Sequence, residues 1–220
     1  FTAGPQCRLS SRAMITRIAA EAFSAFAAGR FPPRIINPAV KPRVAERYRA
    51  ALGPCVRFIW LCAPYLNAKG DEVAIKWWGD APTYDPQPTL KYLRETVKAV
   101  CRDYSGDESK IVLCGFSRGA IACNYLGLHD DETAKLWCGF FAYSHYDGVK
   151  KWSYPSSDRD SALARLKRLG GRPQFICGEN TNAQETEKYL RSLLPEADLT
   201  FLSTGFRNHN DAWTLRPSLA

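Results

Sequence analysis

The 220-residue sequence predicts an α/β fold, a three-layer α/β/α sandwich on a mostly parallel sheet. Three observations carry that expectation. From about residue 56 onward, short apolar runs of strand length alternate with longer segments whose apolar residues recur every three to four positions. The run Ile111–Cys114 is apolar throughout, as a strand buried on both faces is. Hydrophobic residues make up 45% of the chain and aromatics 12%, enough for a core and too many for a mainly disordered chain.

The elements follow in order. Between Arg12 and Ala28, Met14, Ile15, Ile18, Ala22 and Phe26 share one helical face, and Gly29 with Pro32-Pro33 ends the helix. This Arg-rich, nearly acid-free stretch reads as a helix packed on the domain, with an organellar transit segment as the alternative. A Pro-containing connection and a short helix around 44–51 come next. Strands are expected at Val56–Leu61 and, after an Asn67–Gly70 turn, at Val73–Trp78. Pro88–Tyr104 reads as a helix with Leu90, Leu93, Val97 and Val100 on one side. Then come strand Ile111–Cys114, a helix from Arg118 to about Leu128, strand Leu136–Tyr143 and helix Asp160–Leu169. Strand Gln174–Cys177, helix Ala183–Leu194 and strand Leu199–Leu202 complete the rhythm. Residues 1–55 form a basic helical segment packed on the domain and 56–220 the core, one domain overall.

Charge sharpens this division. The formal net charge is +8, yet residues 1–60 hold ten Lys/Arg against Glu21 and Glu46, while residues 61–220 hold twenty of each sign. A neutral body argues against a nucleic-acid partner, and the Arg165-Leu-Lys-Arg168 run reads as the wet face of a helix. No apolar stretch reaches the roughly 20 residues of a membrane span, so no stable membrane insertion is expected. Cys62, Cys114, Cys138 and Cys177 sit inside apolar runs, where thiols behave as small hydrophobes. With no C-x-x-C and no Cys/His cluster, neither a metal nor a cofactor is expected, and reduced thiols suit a cytoplasmic protein. Secretion or an organelle stays open, as does an oligomer.

Gly115-Phe-Ser117-Arg-Gly119 is a G-x-S-x-G motif. Chance gives the bare pattern in roughly one chain of this size in fifteen, so its weight rests on context. Here it follows an apolar strand and opens a helix rich in small residues, as a nucleophile elbow does. The plainer reading is a Gly-rich strand-to-helix turn. A serine hydroxyl needs a base, and there are three histidines: His129, His145 and His209. His209, just beyond the last strand, is the expected base; His129 reads as a helix-end residue and His145 as a pocket residue or one just behind the catalytic groups. The orienting carboxylate follows the order Ser, acid, His, with Asp147 and Glu179 as candidates. The Arg118 N–H, at a helix N-terminus, is one expected oxyanion donor. The second is Tyr65 of Ala63-Pro64-Tyr65, or a group in Thr2-Ala3-Gly4. Phe116, His145, Trp77, Trp78 and Trp152 are expected to line a substrate pocket, with core packing as the alternative for the tryptophans.

On the elbow and the terminal His209, the chain resembles the α/β-hydrolase superfamily over roughly residues 56–215. The stretch Ile111-Val-Leu-Cys-Gly-Phe-Ser-Arg-Gly-Ala is similar to a subset with G-F-S-R-G-A that includes bacterial phospholipase-like secretion effectors. The resemblance implies a compact α/β-hydrolase fold, and the shortness of Gly148–Asp158, where a cap would sit, leaves room for little or no cap. It also implies a serine esterase acting on a small-molecule or lipid ester, with phospholipase, lipase or thioesterase chemistry as alternatives. In the superfamily the acid often follows the preceding strand as G-x-x-D; from Gly178 that spacing reaches Thr181. In the subset it lies one strand after the elbow helix, which favours Asp147 over Glu179. A binding role without catalysis, using the basic amino-terminal segment, is the alternative of another class.

Overall fold

A computed structural model describes residues 34–36 and 59–209. Strand β1 (Arg34–Ile36) pairs antiparallel with β2 (Trp60–Cys62), and β3 (Tyr65–Leu66) pairs antiparallel with β4 (Val73–Ala74). Helix α1 (Gln87–Tyr104) leads to β5 (Val112–Phe116) and α2 (Arg118–Tyr125). A one-turn helix α3 (Asp131–Ala134), β6 (Gly139–Tyr143) and α4 (Arg159–Leu166) follow. Strand β7 (Gln174–Gly178), α5 (Asn182–Leu193) and β8 (Leu199–Ser203) end the described chain.

Strands β5, β6, β7 and β8 form one sheet in that order, every pair parallel. Because spatial order equals chain order, right-handed crossovers put successive helices on the same face. Side chains from α1, α2, α4 and α5 accordingly join one cluster with Phe140, Ala142, Ile176 and Leu199. Burying Phe140, Ile176 and Leu190 contributes about 1.5–3 kcal/mol each. The opposite strand face, by the period of two, carries Phe141, Tyr143, Phe175 and Cys177 in a second cluster with Phe116 and Phe206. Both faces are buried, which is why these strands read as continuous apolar runs.

The parallel α/β core matches the sequence reading element by element, with ends differing by a few residues. Among the described residues helices cover one face of this sheet, and the helices expected over 12–28 and 44–51 lie outside the described residues. Local chemistry sets the boundaries. Pro88 opens α1, and Ser105 in left-handed geometry (φ 58°) closes it. Asp130 and Asp158 cap α3 and α4 by accepting from the N–H groups of Thr133 and Ser161.

The strand expected at Val73–Trp78 stops at Ala74. Trp77 turns inward instead and is completely buried against Leu90, Ile121, Tyr125 and Tyr154. Burying an indole outweighs four more residues of a hairpin strand. Arg165 also departs from expectation, being buried although it stands in a basic run. The described cysteines Cys101, Cys114, Cys123, Cys138 and Cys177 are free thiols. Among the described residues no helix is long and apolar enough to cross a membrane.

Candidate active site

The site forms at the carboxyl ends of the parallel strands. Ser117 sits between β5 and α2 at φ 54° and ψ −120°, a strained backbone for a residue with a side chain. Its N–H donates to Tyr143 O at 3.0 Å, and its carbonyl accepts from Ala120 N–H at 3.0 Å. The two glycines permit the turn for a measurable reason. A Cβ on Gly115 would lie 2.1 Å from the carbonyl oxygen of Gly119, so strand and helix meet backbone to backbone. Gly115→Ala is therefore expected to cost several kcal/mol of stability, seen as collapse of the thermal melt. A variant melting like the wild type would contradict this packing.

His209 Nε2 lies 2.9 Å from Ser117 Oγ, and His209 Nδ1 lies 2.7 Å from Glu179 Oε1. Glu179 is the residue after β7 and is 3% exposed. Its carboxyl is pushed up by burial. The hydrogen bonds from His209, its own backbone N–H and Ser144 outweigh that and hold it below the ordinary value. An ionised acceptor on Nδ1 places the imidazole proton there and leaves Nε2 free to accept from the serine hydroxyl. Asn180 N–H donates to Phe206 O at 3.1 Å and Asn180 Nδ2 to Arg207 O at 3.2 Å, tying the Glu179 turn to the segment that carries His209.

The acid expected at Asp147 is corrected. Asp147 is 3% exposed and forms a bidentate pair with Arg165, Nε to Oδ2 at 2.8 Å and Nη2 to Oδ1 at 3.1 Å. Arg165 also donates to Ser156 O and stacks on the Tyr125 ring with its guanidinium 4.4 Å from the centroid. Burial pushes the Asp147 carboxyl up against the opposing pull of Arg165. The pair therefore fixes the loop after β6 more than it adds net stability.

The aromatic expectations divide. Phe116 and His145 both stack on the His209 ring, with centroids at 4.7 and 5.4 Å. They pack against the His209 ring rather than only line a pocket. Burial first and then the nearby His209 keep His145 below its ordinary value. Trp77 is core, and Trp78 stacks on Tyr154 at 4.4 Å in the same cluster. Trp152 is 38% exposed and borders a shallow surface groove with Ser144, His145, Lys150, Asn182 and Glu185; Ser117 and His209 do not line it. His129 sits after α2 with its ring 6.0 Å from that of Tyr125, and the Ser117–His209–Glu179 hydrogen bonds do not include it.

Arg118 opens α2, so its N–H has no intrahelical acceptor. Tyr65 does not supply the second donor expected of it. Asn67 N–H donates to Glu72 O, and antiparallel alternation makes Tyr65 and Ala74 the next hydrogen-bonded pair, directing the Tyr65 N–H at β4. Burial, and then Cys123, raise the Tyr65 phenol against the pull of the Arg118 guanidinium. The Thr2-Ala3-Gly4 candidate lies outside the described residues. Among the described residues no group of three or more His, Cys, Asp or Glu side chains is placed to hold a metal ion.

Sequence reasoning passed over Ser144, whose Oγ donates to Glu179 Oε1 at 2.8 Å and lies 3.0 Å from His209 Nδ1. It also passed over Asn182, whose Nδ2 donates to the same carboxylate oxygen at 3.1 Å. No family model, curated protein or solved structure matches this chain.

Proposed function

We propose that this protein is a serine hydrolase of the α/β-hydrolase fold that cleaves a carboxylic ester through an acyl-enzyme. The observation that carries the reading is the unbroken relay Ser117 Oγ–His209 Nε2 and His209 Nδ1–Glu179 Oε1, at 2.9 and 2.7 Å, built on a strained serine turn. The order Ser, acid, His on the first, third and fourth strands of the parallel sheet supports the fold assignment.

Ser117 Oγ attacks the ester carbonyl as His209 Nε2 takes its proton. Glu179 compensates the positive charge that then appears on the imidazole. The Arg118 N–H stabilises the tetrahedral oxyanion. His209 returns the proton to the leaving alcohol, which departs and leaves an acyl-serine. Water, deprotonated by His209, releases the acid and restores the serine. Phe116 and His145 confine the imidazole ring through both half-reactions.

The test compares p-nitrophenyl acetate and butyrate with phospholipid vesicles and an acyl thioester. Turnover of the short oxygen esters, with vesicles untouched, is expected. Preference for vesicles or the thioester would keep the nucleophile and replace the substrate class. No turnover of any of them would count against the hydrolase reading.

A further inference from the structure

Ser144 follows β6 as Ser117 follows β5, and the pairing of Phe116 with Tyr143 makes the two serines neighbours across the sheet edge. Both have positive φ, 54° and 84°, in the region that favours glycine. Residues with side chains persist there where the surroundings over-determine them, commonly at functional sites. Ser144 is 3% exposed, and its N–H donates to Cys177 O at 2.8 Å. Glycine would satisfy that backbone with less strain. What serine adds is a hydroxyl, and the hydroxyl is directed at the relay, 2.8 Å from Glu179 Oε1 and 3.0 Å from His209 Nδ1.

We infer that Ser144 is a positioning residue of the catalytic relay, an inference that rests on the serine-hydrolase reading. Its O–H donates to Glu179 Oε1, and its lone pair takes a share of the His209 Nδ1–H. His209, Ser144 and Asn182 all meet Oε1, while Oε2 is buried without a hydrogen-bond partner among the described residues. Ser144 thus keeps a buried carboxylate ionised and aimed at the imidazole. Without the hydroxyl, Glu179 turns more freely about its side-chain bonds and the base loses its fixed ring orientation.

Two variants separate the hydroxyl from the backbone. Ser144→Gly removes the hydroxyl and suits φ 84°; Ser144→Ala removes it and keeps the strain. Both are expected to lower kcat for p-nitrophenyl butyrate by about 10- to 100-fold at unchanged KM, the scale of a misplaced catalytic group. Both are also expected to shift the downfield proton resonance of the His209 Nδ1–H, which a purely structural role would leave in place. Ser144→Gly is expected to melt no lower than the wild type, which keeps the test independent of folding. Wild-type kcat and an unmoved resonance in Ser144→Gly would overturn the inference and leave the hydrolase reading intact. Failure of the wild type itself to hydrolyse the ester or to react with a fluorophosphonate would overturn both.

Discussion

Ser117→Ala is expected to lower kcat for short esters by at least about 10³-fold while the thermal melt stays near that of the wild type. The size follows from the chemistry. Alanine removes the only atom of residue 117 that can form the acyl bond, and the Arg118 N–H then acts alone. The fold should tolerate the change. The serine hydroxyl is half-exposed with His209 as its partner, so no buried polar group is orphaned. Alanine keeps the strained φ of 54°, so the backbone strain is neither relieved nor increased. Residual activity within tenfold of the wild type would mean that another group attacks the ester.

The second large effect separates two buried carboxylates. Glu179→Gln is expected to lower kcat by roughly 10³- to 10⁴-fold with little loss of stability, because an amide no longer enforces the Nδ1–H tautomer or balances the imidazolium. Asp147→Asn is expected to do the reverse. It leaves Arg165 buried without its counter-charge, a loss on the order of 3–5 kcal/mol, while the kcat of the molecules that stay folded remains near the wild-type value. Kinetics and denaturant unfolding of the two variants, measured below their melting temperatures, read both quantities. Near-complete loss of kcat in folded Asp147→Asn, with Glu179→Gln active, would return the acid role to Asp147.

That exchange shows where a sequence stops being legible. The parallel core could be read because β5 to β8 are buried on both faces and their apolar runs are separated by helices with clear periodicity. The strand-to-helix turn at Ser117 and the place of His209 beyond the last strand could be read because each depends on local order along the chain. The carboxylate that meets His209 could not. Asp147 and Glu179 both end a strand loop before His209, and the choice depends on a residue far along the chain. Arg165 takes Asp147, and its burial is hidden within the basic run Arg165-Leu-Lys-Arg168, although Ala162, Arg165 and Leu166 share the buried side of α4. Spacing from Gly178 also misdirects. Glutamate is one methylene longer than aspartate, so Glu179 reaches Nδ1 from the first position after the strand, without the two intervening residues. Ser144 carries no local signal, since its hydroxyl matters only through strands that meet side by side. Trp77 and Tyr65 erred in the same way, because tertiary packing and hairpin register decided where they point.

Reaction of the wild-type chain with a fluorophosphonate, followed by peptide mass mapping, tests the central claim most directly. One phosphonyl group per chain on Ser117, absent from Ser117→Ala and slowed in Glu179→Gln, is the expected result. No adduct, or an adduct on another residue with Ser117 unmodified, would contradict it.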